Sequence, residues 1–63
     1  MNSAPKQFNE QVDSEQVQVW IAIERRSYRA WGFFRGKEII TRGRSESNAI
    51  GLWREAANYT ANE

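Results

Sequence analysis

The chain has neither cysteine nor histidine, and it has one proline, one methionine and four glycines. Without cysteine it closes no disulfide and offers no thiolate to a metal, a composition compatible with a reducing cytoplasm. Without histidine it lacks a common zinc ligand and the side chain that most often acts as a general base. The eight carboxylates, Glu10, Asp13, Glu15, Glu24, Glu38, Glu46, Glu55 and Glu63, are scattered with no calcium-loop spacing. No enzymatic activity, metal site, cofactor or small-molecule substrate is therefore expected. Long apolar runs are missing too: nothing approaches the roughly 18 residues of a membrane span. Residues 1–6, MNSAPK, lack the apolar centre of a secretory signal. The expectation is a soluble, cytoplasmic protein with no membrane contact.

What is present is small and unevenly charged. Sixty-three residues make one domain, and at this size folding buries only about 60% of the chain's surface, so dimerisation is a standing expectation. The net charge of +1 conceals a central block: Arg25, Arg26, Arg29, Arg35, Lys37, Arg42 and Arg44 fall within twenty positions that hold a single acid, Glu38. Such a block attracts phosphate or an acidic partner, although the total charge is far below that of a strongly basic nucleic-acid binder.

From Val17 the apolar residues recur with period two. Val17, Val19, Ile21 and Ile23 alternate with Gln18, Trp20, Ala22 and Glu24, and Tyr28, Ala30, Gly32 and Phe34 alternate with Arg29, Trp31, Phe33 and Arg35. Both runs read as strands by pattern and β-branched or aromatic content. A turn at Arg25, Arg26 and Ser27 with an even-length loop sets Ile23 opposite Ala30, Val19 opposite Phe34, Trp20 beside Phe33 and Ala22 beside Trp31. A second turn at Gly36-Lys37, a Gly-X pair suited to a tight hairpin, sets Phe34 opposite Ile39 and Phe33 opposite Ile40. It also brings Arg42 to the Trp31 ring, a contact worth about 0.5–1 kcal/mol when exposed. Gly43 ends the third strand. Ser45 is a good N-cap and Glu46 suits the first helical turn, after which Ala49, Leu52, Trp53, Ala56, Ala57 and Thr60 share one stripe flanked by Ile50. Gly51 falls on the polar side.

The predicted fold is α+β: a three-stranded antiparallel sheet packed on one C-terminal helix, with residues 15–63 forming a β-β-β-α domain. Residues 1–14 are read as a polar arm, either disordered or a short helix from Pro5 that pairs Phe8 with Val12. The helix covers Val19, Ile21, Ile23, Phe34 and Ile39. That leaves Trp20, Trp31, Phe33 and Ile40 on the other face, ringed by Arg29, Arg35 and Arg42. An apolar patch of this kind has a use. Bases can stack on it, at about 1–3 kcal/mol each; two copies can pair through it or a partner protein can dock; or the arm can fold back over it. The first use makes this a small nucleic-acid-binding protein in which Arg25, Arg26, Arg29, Arg35, Lys37, Arg42 and Arg44 contact nucleic acid and Trp31 and Phe33 stack. The second makes it a homodimer or interaction module anchored by Trp20, Trp31, Phe33 and Ile40.

The run over 28–45, YRAWGFFRGKEIITRGRS, followed by Ala49 and WREAA over 53–57, resembles the second half of a double-stranded RNA-binding domain. The segment PKQFNE over 5–10 would correspond to that family's first helix. The resemblance implies phosphate contacts at Arg44 and Ser45 and a minor-groove contact at Arg25 and Arg26. The chain departs from the family in having Glu46, Ser47, Asn48 and Ile50 where phosphate-gripping lysines belong, and it lacks a Gly-Pro-x-His type loop. The sheet-then-helix order is also similar to the arm-binding domain of tyrosine integrases, with Gly36-Lys37-Glu38 and the following helix as the local likeness. Toxin nucleases related to the double-stranded RNA-binding fold require a catalytic histidine that this chain lacks.

Overall fold

The structure, a computed structural model, describes residues 5–61. Four strands, β1 (Lys6–Val12), β2 (Glu15–Glu24), β3 (Ser27–Phe34) and β4 (Lys37–Gly43), form an antiparallel meander in that order, and α1 (Glu46–Ala61) packs on one face. The α+β class and the C-terminal helix match the sequence reading. The strand count does not. Residues 6–12, read as a disordered arm or short helix, form an edge strand, so the first helix implied over 5–10 by the double-stranded RNA-binding resemblance is absent.

β1 escapes the period-two reading because its helix-facing positions, Lys6, Phe8, Glu10 and Val12, alternate charge with apolar bulk. Val12 is 1% exposed and Phe8 packs against the core. The two charges find partners on the helix: Lys6 Nζ lies 3.2 Å from Glu46, and Arg54 Nη2 donates to Glu10 Oε1 at 2.6 Å. The arm therefore does not fold over the aromatic face, since Phe8 and Val12 sit on the opposite one.

Two-residue loops join all the strands. Asp13 and Ser14 have φ of 50° and 68°, and Arg35 and Gly36 have 53° and 82°, the signs that a type I′ hairpin requires. The third loop is thus Arg35-Gly36 and not Gly36-Lys37, with glycine in the second loop position. Phe34 pairs with Lys37, Phe33 with Glu38 and Trp31 with Ile40. The second loop is Arg25-Arg26, which pairs Ile23 with Tyr28, Ile21 with Ala30 and Trp20 with Trp31. Both expected registers are off by two residues. Because side chains alternate with period two, a shift of two leaves every residue on its expected face and changes only its neighbours. Arg42 consequently sits opposite Arg29, and the guanidinium over the Trp31 ring, 4.9 Å from its centroid, belongs to Arg29.

The helix starts as its sequence indicates. Ser45 Oγ accepts from Asn48 N at 3.1 Å, and Asn48 Oδ1 accepts in turn from Arg44 N at 3.0 Å. Ala49, Ile50, Trp53 and Ala57 are buried against Val12, Val17, Val19, Ile21, Ala30 and Phe34. Leu52, expected within this stripe, is 38% exposed, because the buried face centres on the 49–53–57 line and turns Leu52 outward. Ile23, expected in the core, lies in the last full row of the sheet and is 58% exposed. Trp53 is fully buried, and its Nε1 donates to the Ile39 carbonyl oxygen at 2.9 Å. Thr41 Oγ1 donates to the Ala49 carbonyl oxygen at 3.0 Å, so β4 holds the helix at two points.

The glycines separate two uses. A Cβ on Gly32 would meet the Gln18 carbonyl oxygen at 2.6 Å and Trp53 Cζ2 at 3.1 Å, whereas one on Gly51 meets nothing within 4 Å. Gly32→Ala is expected to destabilise by about 1–3 kcal/mol through overpacking. Gly51→Ala is expected to stabilise by about 0.8–1 kcal/mol through helix propensity. Urea denaturation of the two variants checks both signs.

Candidate functional site

The face of the sheet away from the helix is built in rows by the strand registers. Its central row runs Gln7, Trp20, Trp31, Ile40 across all four strands. Toward the Arg35 loop the next row holds Asn9, Gln18, Phe33 and Glu38, and toward the Arg25 loop it holds Ala22, Arg29 and Arg42. Trp20 and Trp31 are half-buried, while Phe33 and Ile40 are 61% and 53% exposed. No element among the described residues covers them. A shallow depression of about 290 Å³ lies beside Trp20 and Phe33, walled by Gln16, Gln18 and Arg35.

The structure divides the seven basic candidates between two ends of the sheet. Because β2–β3 and the end of β4 meet at the same end, Arg25 and Arg26 of the loop lie with Arg29, Arg42 and Arg44, since Gly43 pairs with Tyr28. Glu24 is the one carboxylate among these five guanidinium groups, 3.4 Å from Arg29 Nη1 and 3.4 Å from Arg42 Nε. It holds those two arginines side by side where they would otherwise repel. Arg29 Nε is buried with no hydrogen-bond partner. The side chains of Arg25, Arg26 and Arg44 form no ion pair among the described residues. Glu24, Arg25, Arg26, Ser27 and Arg42 surround an open hollow of about 570 Å³.

Arg35 and Lys37 stand at the opposite end, roughly 25 Å away by the rise of an eight-residue strand. Arg35 donates from Nε and Nη2 to Glu15 Oε1 at 3.3 and 3.0 Å, and from Nη2 to Asp13 Oδ2 at 3.0 Å. Its guanidinium also lies 4.9 Å over the Phe34 ring. The hydrogen bond to Glu15, followed by that to Asp13, raises its pKa against a small opposing effect of burial. Arg35 is therefore a permanently charged clamp between the first and third loops, with its donors already occupied.

Two groups of residues escape the sequence reading. Gln7 and Asn9 join the aromatic face only because β1 exists, and the signal for it was the turn-favouring Asp13-Ser14 pair between two alternating runs. Glu24 gains its bridging place from the register of β2, β3 and β4, which no local pattern encodes. Among the described residues no three carboxylate, histidine or cysteine groups converge as a metal site, and no helix is long and apolar enough to cross a membrane.

Comparison with family models, with curated proteins and with solved structures returns no match.

If the open face contributes to binding and not to the core, truncation there is cheap. Phe33→Ser is expected to change the unfolding free energy by no more than about 0.5 kcal/mol. Phe34→Ala, one residue along on the other face, is expected to cost about 3–5 kcal/mol. Denaturant titration with circular dichroism distinguishes the two.

Proposed function

We propose that this protein is a small non-enzymatic module that binds nucleic acid through the basic end of the sheet and the aromatic row beside it. The observation that carries this reading is the convergence of Arg25, Arg26, Arg29, Arg42 and Arg44 against the single carboxylate of Glu24, next to the uncovered Trp20–Trp31–Ile40 row. Guanidinium groups make bidentate contacts with phosphate, and arginine is itself a stacking group. Arg25, Arg26 and Arg44 can meet phosphates without first breaking an ion pair. Arg29 and Arg42, tethered to Glu24, position the ligand over the tryptophans. Arg35 belongs to the scaffold in this reading, and Lys37 lies too far along the sheet to share a contact with the basic end.

A second reading is favoured by the exposure of Phe33 and Ile40 within a polar rim of Gln18, Glu38 and Asn9. An apolar centre with a polar rim also describes a protein interface, so the same face would pair with a second copy or dock a partner protein, with Trp20, Trp31, Phe33 and Ile40 as anchors.

Anisotropy titrations of labelled oligonucleotides at two salt concentrations, with molecular mass measured on the same sample, test both. The expected result is binding that weakens with salt. The double change Arg25→Ala, Arg26→Ala should lower the salt slope by about two, and Arg35→Ala should leave it unchanged. Salt-insensitive binding or none would overturn the proposal, and absence of binding together with a dimer mass would transfer the face to the second reading.

A further inference from the structure

We infer that the ligand of this face is single-stranded, with splayed bases lying on Trp20, Trp31 and Phe33 and the phosphates leading to Arg25, Arg26 and Arg44. The inference rests on the nucleic-acid reading and narrows it to one substrate class. Its first support is a dimension. Four strands about 4.8 Å apart span roughly 14 Å between the outer strand axes, and the molecule measures 17 Å across its two shorter axes. The DNA major groove is about 12 Å wide and the minor groove about 6 Å. The sheet cannot enter either groove face-first. The aromatics stand on the two central strands, which are the positions a groove wall would keep farthest from the bases.

The second support is the arrangement of the rings. Trp20 and Trp31 are direct cross-strand partners, with Cβ atoms about 4.5–5.5 Å apart in such a pair. Phe33 stands two residues along β3 from Trp31, on the same face. Aromatic rings placed this way can receive two or three unstacked bases, and stacking of this kind tolerates any sequence. The Arg29 guanidinium over Trp31 adds a planar cation to the platform, and the unbonded Arg29 Nε is a donor with no partner inside the protein. Gln7, Asn9 and Gln18 stand in the same rows and bring both donors and acceptors to the edges of bases laid across the strands. In a duplex those base faces are covered by their neighbours.

The competing geometry uses the same arginines differently. The β2–β3 hairpin tip is a two-stranded ribbon, narrow enough for a major groove, and it could present Arg25 and Arg26 to a duplex without the tryptophans. The test is a titration of the full chain with oligo(dT), oligo(U) and duplex DNA and RNA of about twelve nucleotides, within the range of such sites. Anisotropy and intrinsic tryptophan fluorescence are read together. Single strands are expected to bind at least tenfold more tightly than duplexes, to quench tryptophan emission and to show a salt slope near −2, about three phosphates at 0.7 each. Trp31→Ala is expected to weaken single-strand binding about tenfold. Phe33→Ser, at a 61% exposed position, gives the same readout should Trp31→Ala fold poorly. Duplex binding as tight as single-strand binding, unaffected by both changes and abolished by Arg25→Ala, Arg26→Ala, would overturn the inference and leave nucleic-acid binding standing. No binding to any of the four would overturn both.

Discussion

Everything in this molecule is oriented by Trp53 lying across Gly32. A full indole ring reaches the floor of the sheet only where β3 has no side chain, and the hydrogen bond from Nε1 to the Ile39 carbonyl oxygen fixes it in place. That contact decides which sheet face the helix covers. It satisfies the one polar atom of the largest buried side chain, and it leaves no second helix or loop for the other face. A chain this short has only enough structure to cover one side, so the open aromatic face follows directly from the way the core is filled.

Charge is partitioned by the same architecture. Antiparallel strands with two-residue loops send alternate loops to opposite ends. The first and third loops share one end, and there Asp13 and Glu15 engage Arg35. The second loop shares the other end with the close of β4 and the start of α1, where arginines accumulate around Glu24. A block of basic residues that is continuous in sequence is thereby divided in space into a structural clamp and a cluster able to hold an anionic ligand. Ion pairs on the rim, Lys6 with Glu46 and Arg54 with Glu10, fasten the edge strand to the helix and keep these charges away from the open face.

Much of this was legible from residue order. The alternation over 17–43 identifies three strands and assigns each side chain to a face; Ser45, Ala49, Trp53 and Ala57 mark the helix. The edge strand was not legible, because Lys6 and Glu10 interrupt its apolar alternation and their partners lie on a helix some forty residues away. Registers were misread at both later hairpins for a related reason. Gly36 serves either as the first residue of a type II′ loop or the second of a type I′ loop, and cross-strand packing chooses between them. The exposure of Leu52 and Ile23 likewise depends on where the helix axis crosses the sheet.

By itself, then, the sequence determined the period of each segment, the face on which every strand residue stands and the start of the helix, since these depend on local dihedral preference and on the two-residue repeat of a strand. Which face is covered, which residues become neighbours across it and which arginines keep their donors free were decided only by the tertiary structure. Those outcomes depend on side chains far apart in the chain meeting at particular distances: Trp53 over Gly32, Glu24 between Arg29 and Arg42, Arg35 between Asp13 and Glu15. A local pattern sets directions, and only the packed fold sets partners.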